Sequence, residues 1–100
     1  MAGQPALRGT VFQVKVWKAL KDIPRGEVRT YSEIARQIGH PNSARAVANA
    51  CAKNPHIPDV PCHRVVRTDG GLGGYSGPGG VDTKRNLLLE EGVTFPLTHA

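Results

Sequence analysis

The sequence has no long hydrophobic run. Its apolar stretches last only a few residues, far short of the ~20 that a membrane-spanning helix needs, and no stretch reads as a secretory signal. Cysteine is scarce, with two in 100 residues, so a disulfide framework is not expected. Reduced thiols are expected instead, in a cytoplasmic, nucleoid-associated setting or a nuclear one if the source is eukaryotic. There is no internal repeat and no low-complexity segment. Acids are scarce at the start: residues 1–53 hold nine Lys or Arg against three acids, a balance of +6, and residues 54–100 carry −1. An anionic partner is therefore expected on the first half, although a solvated basic surface explains the charge equally well.

What is present fits one soluble domain. Hydrophobic residues make up 39% and charged residues 21%, and a chain of this length buries roughly 60–68% of its unfolded surface. The domain is expected over residues 9–95, after a loose lead-in at 1–8 and before a tail at 96–100. Phe12, Val16, Ala19, Leu20 and Ile23 recur with helical spacing, and Pro24-Arg25-Gly26 ends that pattern. Trp17, beside the stripe, reads as a core anchor. Thr30-Tyr31-Ser32-Glu33 is a capping box opening a helix to Ile38, with Gly39 as its stop. Ser43 is placed to cap a further helix with an apolar stripe of Ala44, Val47, Ala48 and Cys51. Two short helices across a tight turn suggest a helix-turn-helix. On the second, Arg45, Asn49 and Lys53 fall on one exposed line, and alanines at 44, 46, 48, 50 and 52 keep the helix slim enough to approach a DNA groove. An ordinary Ala-rich helix with a polar face is the plainer alternative.

Asn54-Pro55 breaks that helix. An extended segment follows over 56–61, then a short buried strand at Val65-Val66, and a turn-rich hairpin or loop at 69–74. The loop continues through 75–80, and Lys84, Leu87, Leu88 and Glu91 define a last helix closed by Gly92. Within this half the run Pro61-Cys62-His63-Arg64 places a thiol beside an imidazole. A free cysteine is most simply a small buried hydrophobe, the reading for Cys51. Cys62 has a candidate base in His63, with Glu91 available to orient it. Zinc is the competing use: Cys51, His56, Cys62 and His63 supply four donors, but their spacing matches no common zinc pattern, and no metal is assigned.

The run "PCHRVV" resembles the active-site signature of the O6-alkylguanine-DNA alkyltransferases. "GTVFQVKVWKAL" resembles the opening of that family's DNA-binding domain, and "IPRGEVRTYSEIARQIGHPNSARAVANACAKNP" its helix-turn-helix and asparagine hinge. "GGLGGYSG" resembles the active-site loop and "KRNLLLEEG" the closing helix. The likeness covers about residues 9–92. It departs in that the family's usual N-terminal domain has no counterpart among these 100 residues, and in a loop over 76–84 that reads about two residues longer than the common form.

The resemblance implies a mainly α fold with a short β element, a winged-helix-like helix-turn-helix domain. It implies single-turnover transfer of an alkyl group from O6-alkylguanine, and by extension O4-alkylthymine, to Cys62, in a monomer needing no cofactor. The partner would be double-stranded DNA bound largely without sequence preference, with the damaged base flipped out of the stack. Arg45 would fill the gap left by the base. Tyr31 would crowd the flipped nucleotide's phosphate and face the guanine edge. Ala44, Asn49 and Lys53 would complete the DNA face. Cys62, Val65, Gly73, Tyr75 and Ser76 would form the guanine pocket. Asn54 would tie the recognition helix to the active-site strand. His63, a water and Glu91 would take the thiol proton. Two other classes fit parts of the chain. A non-catalytic alkyltransferase-like lesion sensor shares the DNA-binding half but lacks the acceptor cysteine. A small transcription factor would leave the Cys-His-Arg run unexplained.

Overall fold

The computed structural model describes residues 9–54, 59–75 and 77–94. The expected lead-in and tail, His56 and Ser76 lie outside them. Helix α1 spans Val11–Lys21, one residue earlier than Phe12. Its start is set by a capping box the sequence reading missed: Thr10 Oγ1 accepts the Gln13 N–H at 3.1 Å, and Gln13 Oε1 accepts the Thr10 N–H at 2.9 Å. Ile23 lies beyond the helix, yet is buried. The Pro24–Gly26 turn then runs against the far end of the chain. Gly26 has φ +90°, and a Cβ there would sit 2.9 Å from the Glu91 carbonyl oxygen, so both its conformation and its packing require glycine.

Strand β1 (Arg29–Thr30) leads directly into helix α2 (Tyr31–Gln37). The expected capping box is present: Glu33 N–H donates to Thr30 Oγ1 at 3.0 Å and Thr30 N–H donates to Glu33 Oε1 at 2.7 Å. At the other end Gly39 takes φ +85°. His40 N–H then reaches back to the Ala35 carbonyl at 2.8 Å and Gly39 N–H to Arg36 at 3.1 Å, a Schellman closure. Helix α3 (Ala44–Ala52) follows after a short turn. Ser43 occupies its N-cap position, but its side chain makes no capping bond, because its backbone (φ −113°, ψ 31°) is not in the extended form that aims a capping hydroxyl at the helix. The buried stripe of α3 also differs from expectation. Val47, Ala50 and Cys51 are buried against α1 and α2, while Ala44 and Ala48 are half-buried and border an open groove. Trp17 is the expected anchor, with an added role: its indole N–H donates to the Ala50 carbonyl at 2.9 Å, joining α1 to the end of α3.

Cys62–Arg64 form a single 3₁₀ turn, and β2 (Val65–Val66) follows as expected. Its partner is not a hairpin strand. β2 pairs in parallel with β1, Arg29 opposite Val65 and Thr30 opposite Val66. Residues 67–71 instead make a tight turn, closed by Gly70 N–H to the Arg67 carbonyl at 3.1 Å and Arg67 N–H to the Gly71 carbonyl at 2.9 Å, and 72–74 run on as loop. Helix α4 spans Gly80–Glu90, so part of the segment read as loop is its first turn. It ends in a second Schellman closure around Gly92 (φ +94°), in which Val93 N–H bonds the Leu88 carbonyl at 2.9 Å. The core gathers Trp17, Leu20, Ile34, Val47 and Val65 between α1, α2, α3 and the 3₁₀ turn. A smaller cluster of Val66, Leu88 and Val93 fixes α4. The fold is mainly α with one two-stranded sheet, as expected.

Candidate active site

The 3₁₀ turn decides the geometry. In an extended strand, neighbours such as Cys62 and His63 would face opposite sides. Here both are buried, at 4% and 2% exposure, on a turn held at each end by backbone bonds: Cys62 N–H to the Val60 carbonyl at 2.8 Å and Arg64 N–H to the Pro61 carbonyl at 3.0 Å. Cys62 lies on the wall of a cavity of about 190 Å³, shared with Cys51, Ala52, Gly74 and Tyr75. Asn54, at the end of α3, donates to the Val60 carbonyl at 2.7 Å and also to the Cys62 thiol.

From the same 3₁₀ turn a polar chain runs to the end of α4. His63 Nε2 stands 2.9 Å from Glu91 Oε2, while Arg64 donates from Nε to Glu91 Oε1 at 2.9 Å and from Nη2 to Oε2 at 2.8 Å. Arg64 also donates to the Ile23 carbonyl at 2.8 Å. Glu91 caps the C-terminus of α4, where the helix dipole disfavours a carboxylate. The two-pronged Arg64 bond overcomes that, helped by His63, and holds the Glu91 carboxyl down at about 2. Burial pushes the His63 imidazole below its ordinary value, against the pull of Glu91. At neutral pH the pair is thus a neutral imidazole and a carboxylate, which assigns the ring proton to Nε2. Nδ1 is then the basic nitrogen, and it is buried without a hydrogen-bond partner among the described residues.

The second electrostatic element is Lys84, fully buried at 0% exposure. Its ammonium donates to the Val65 carbonyl at 2.7 Å and the Gly74 carbonyl at 3.2 Å, and lies 5.8 Å from the Tyr31 ring centre. Burial lowers Lys84 to about 8. Burial likewise raises the Cys62 thiol, but its bond from Asn54 and the nearby Lys84 charge work the other way. Tyr31 is pushed up to about 12, first by burial, so its hydroxyl stays a proton donor.

The groove outside the cavity, about 730 Å³, is bordered by Tyr31, Ala44, Arg45, Ala48, Arg67 and Gly73 among others; Gly74 borders both spaces. Gly73 has φ +75°, and a Cβ there would fall 2.7 Å from the Tyr31 hydroxyl, so glycine lets the loop close onto Tyr31.

Of the residues singled out by sequence, Cys62 and Tyr75 share the cavity, while Tyr31, Ala44, Arg45 and Gly73 share the groove. Asn54 bonds the thiol, and His63 and Glu91 pair with each other, none of the three bordering the cavity. Val65 is buried beneath the cavity rather than on its wall, and its carbonyl is engaged by Lys84. Asn49 and Lys53 are exposed on α3 but border neither space, because they lie further round the helix than Ala44, Arg45 and Ala48. Ser76 is outside the described residues. Three participants were missed. Arg64 could have been suspected from its place in the Pro-Cys-His-Arg run. Lys84 sits one helical turn before buried Leu88, a signal for a buried cation. Nothing in the sequence placed Cys51 on the same wall as Cys62.

The family model described as "6-O-methylguanine DNA methyltransferase, DNA binding domain" matches residues 11–93. The methylated-DNA–protein-cysteine methyltransferase of Mycobacterium bovis is 57% identical over 90 residues, covering 90% of this chain and 53% of that protein. The crystal structure of Mycobacterium tuberculosis OGT in complex with DNA is similar with a TM-score of 0.82 at 56% identity, covering 86% of this chain and 51% of that one. That of S. pombe Atl1 in complex with damaged DNA containing O6-carboxymethylguanine is similar with a TM-score of 0.74 at 39% identity, covering 88% and 82%. The chain spans about half the length of the curated relatives it matches.

Proposed function

The chain belongs to the 6-O-methylguanine DNA methyltransferase family, and from that premise and the geometry of the site we propose that it repairs DNA by moving an alkyl group from the O6 atom of guanine onto Cys62, once per molecule. The observation that carries the reading is a buried thiol on the wall of a small cavity, followed on the same 3₁₀ turn by a buried imidazole whose Nε2 stands 2.9 Å from a carboxylate.

The thiol proton passes to His63 Nδ1, through a water, and the imidazolium that forms is stabilised by Glu91. Lys84 and Asn54 favour the thiolate against the cost of burial. The thiolate attacks the alkyl carbon in line with the C–O6 bond, and the bonding pair leaves on O6. The Tyr31 hydroxyl, held protonated, donates to the guanine edge and damps that charge. The product is a thioether, which no neighbouring group cleaves, so the protein acts once. O4-alkylthymine is a second substrate of the same chemistry.

The reacting carbon is unreachable inside a duplex, so the nucleotide is flipped into the cavity. Arg45 enters the space it leaves, and the slim Ala44–Ala48 face lies along the groove. Contacts go mainly to phosphates, which makes binding largely indifferent to sequence. The working unit is residues 9–95, acting as a monomer in the compartment that holds the DNA.

The test is the intact mass of the protein after incubation with a duplex carrying O6-methylguanine. One methyl per chain at Cys62, with no further turnover, is expected. Catalytic turnover, or no mass change in protein that binds the duplex, refutes transfer. The second outcome would favour a lesion-sensing role, a reading for which the match to 82% of S. pombe Atl1 is the relevant observation.

A further inference from the structure

Cys51 has no part in the transfer proposed above, yet it borders the same cavity as Cys62. Both cysteines are free and buried. The segments that carry them meet at one atom, the Val60 carbonyl oxygen. It accepts the Asn54 side chain at 2.7 Å and the Cys62 N–H at 2.8 Å. Asn54 N–H in turn bonds the Cys51 carbonyl at 3.2 Å, and Trp17 holds the preceding residue, Ala50. The last turn of α3 and the 3₁₀ turn are therefore fixed against each other, with one cysteine from each lining the same chamber of about 190 Å³.

We propose that Cys51 and Cys62 form an oxidisable pair: a hydroperoxide that reaches the cavity converts them to an internal disulfide, which takes the acceptor thiol out of use reversibly. Burial raises both thiols, Cys51 to about 12, but at Cys62 the bond from Asn54 works the other way, so Cys62 reacts first. The Cys62 sulfur attacks one peroxide oxygen, the O–O bond breaks, and a sulfenic acid forms with loss of water or alcohol. The Cys51 sulfur then attacks the Cys62 sulfur. The S–S bond forms, the S–O bond breaks, and hydroxide leaves with the Cys51 proton as water. Two electrons and two protons pass from the thiols to the peroxide. A dithiol reductant reverses the bond, whereas an unresolved sulfenic acid proceeds to irreversible sulfinic acid.

The bond itself does not depend on the function proposed above; only its effect on transfer does. The full chain is treated with a small excess of hydrogen peroxide, trapped with iodoacetamide and weighed. The wild type should become about 2 Da lighter with both thiols blocked, and a non-reducing digest should yield the Cys51 and Cys62 peptides joined. Dithiothreitol should restore both thiols. Cys51→Ala and Cys51→Ser should instead gain about 32 Da at Cys62 and resist reduction, accumulating that product at least roughly tenfold faster than the wild type. Wild type that gains the sulfinic acid as fast as Cys51→Ala, retains two free thiols, or links only between molecules overturns the proposal, and the wild-type masses decide it even without the variants. Transfer from O6-methylguanine is scored separately against each protein's untreated activity. A reversible disulfide in a protein that never transfers would sink the functional reading and leave the redox pair standing.

Discussion

Glu91→Gln tests the polar chain of His63, Arg64 and Glu91 through stability as well as through rate. The carboxylate is nearly excluded from solvent, at 7% side-chain exposure, and meets His63 and both prongs of Arg64 within 2.9 Å. Those contacts lower it from an ordinary 4.5 to about 2, Arg64 first. A carboxyl held low in the fold stabilises it above its unfolded value and loses that contribution as pH falls through the folded value, here between about pH 5 and 2. At about 1.4 kcal/mol per pH unit, the ionised Glu91 is worth about 3 kcal/mol at neutral pH. Glu91→Gln should therefore lower the unfolding free energy at pH 7 by about that amount, with Arg64 left buried beside a neutral amide. Urea unfolding of both proteins at pH 7, 5, 3 and 2 measures this. His63, held low by burial, adds a loss of the same sign on acidification that is larger in Glu91→Gln, where the upward pull of Glu91 is gone, so the trend of the difference down to pH 2 is what counts. That difference should shrink towards zero by pH 2. A difference that stays constant from pH 5 to pH 2 would show that Arg64 and His63 do not hold Glu91 low, and the assignment of His63 Nδ1 as the base would go with it.

Three further outcomes are expected. His63→Ala should slow transfer at least about 10²-fold with DNA affinity almost unchanged, as removal of a general base does; an unchanged rate there, or in Glu91→Gln, removes the proton path. Lys84→Gln keeps a donor near the Val65 carbonyl but removes the charge beside the thiol, so the pH profile of Cys62 alkylation by iodoacetamide should move up and the reaction at neutral pH should slow; a superimposable profile in folded protein would leave Lys84 as a tether alone. Arg45→Ala should slow repair of a duplex more than repair of a single strand, where there is no stack to open, whereas Lys53→Ala should weaken both by similar modest factors, compared below saturation at fixed salt. Equal losses on the two substrates for Arg45→Ala would reduce it to one more phosphate contact.

Local chemistry was legible in the sequence. The Thr30–Glu33 box and Gly39 determine α2 because the bonds they make span only a few residues, and the same holds for Gly92 at the end of α4. The family likeness marked Cys62, His63 and Glu91 as a set. What joins them was decided by tertiary structure. The parallel pairing of Arg29–Thr30 with Val65–Val66 crosses 36 residues and leaves no periodic trace in two-residue strands. The 3₁₀ turn at Cys62–Arg64, where adjacent cysteine and histidine are both buried, cannot be told from an extended run by residue type. The α3 stripe rotated from its sequence reading because packing against α1 and α2 selected Ala50 over Ala44 and Ala48, and alanine's small apolar side chain is accepted on either face. Lys84 and Arg64 take up their roles only when the fold brings two carbonyls to one and a carboxylate to the other. A buried charge is tolerated only where partners converge, and those partners come from elements far apart in the chain, so three-dimensional packing had to decide them.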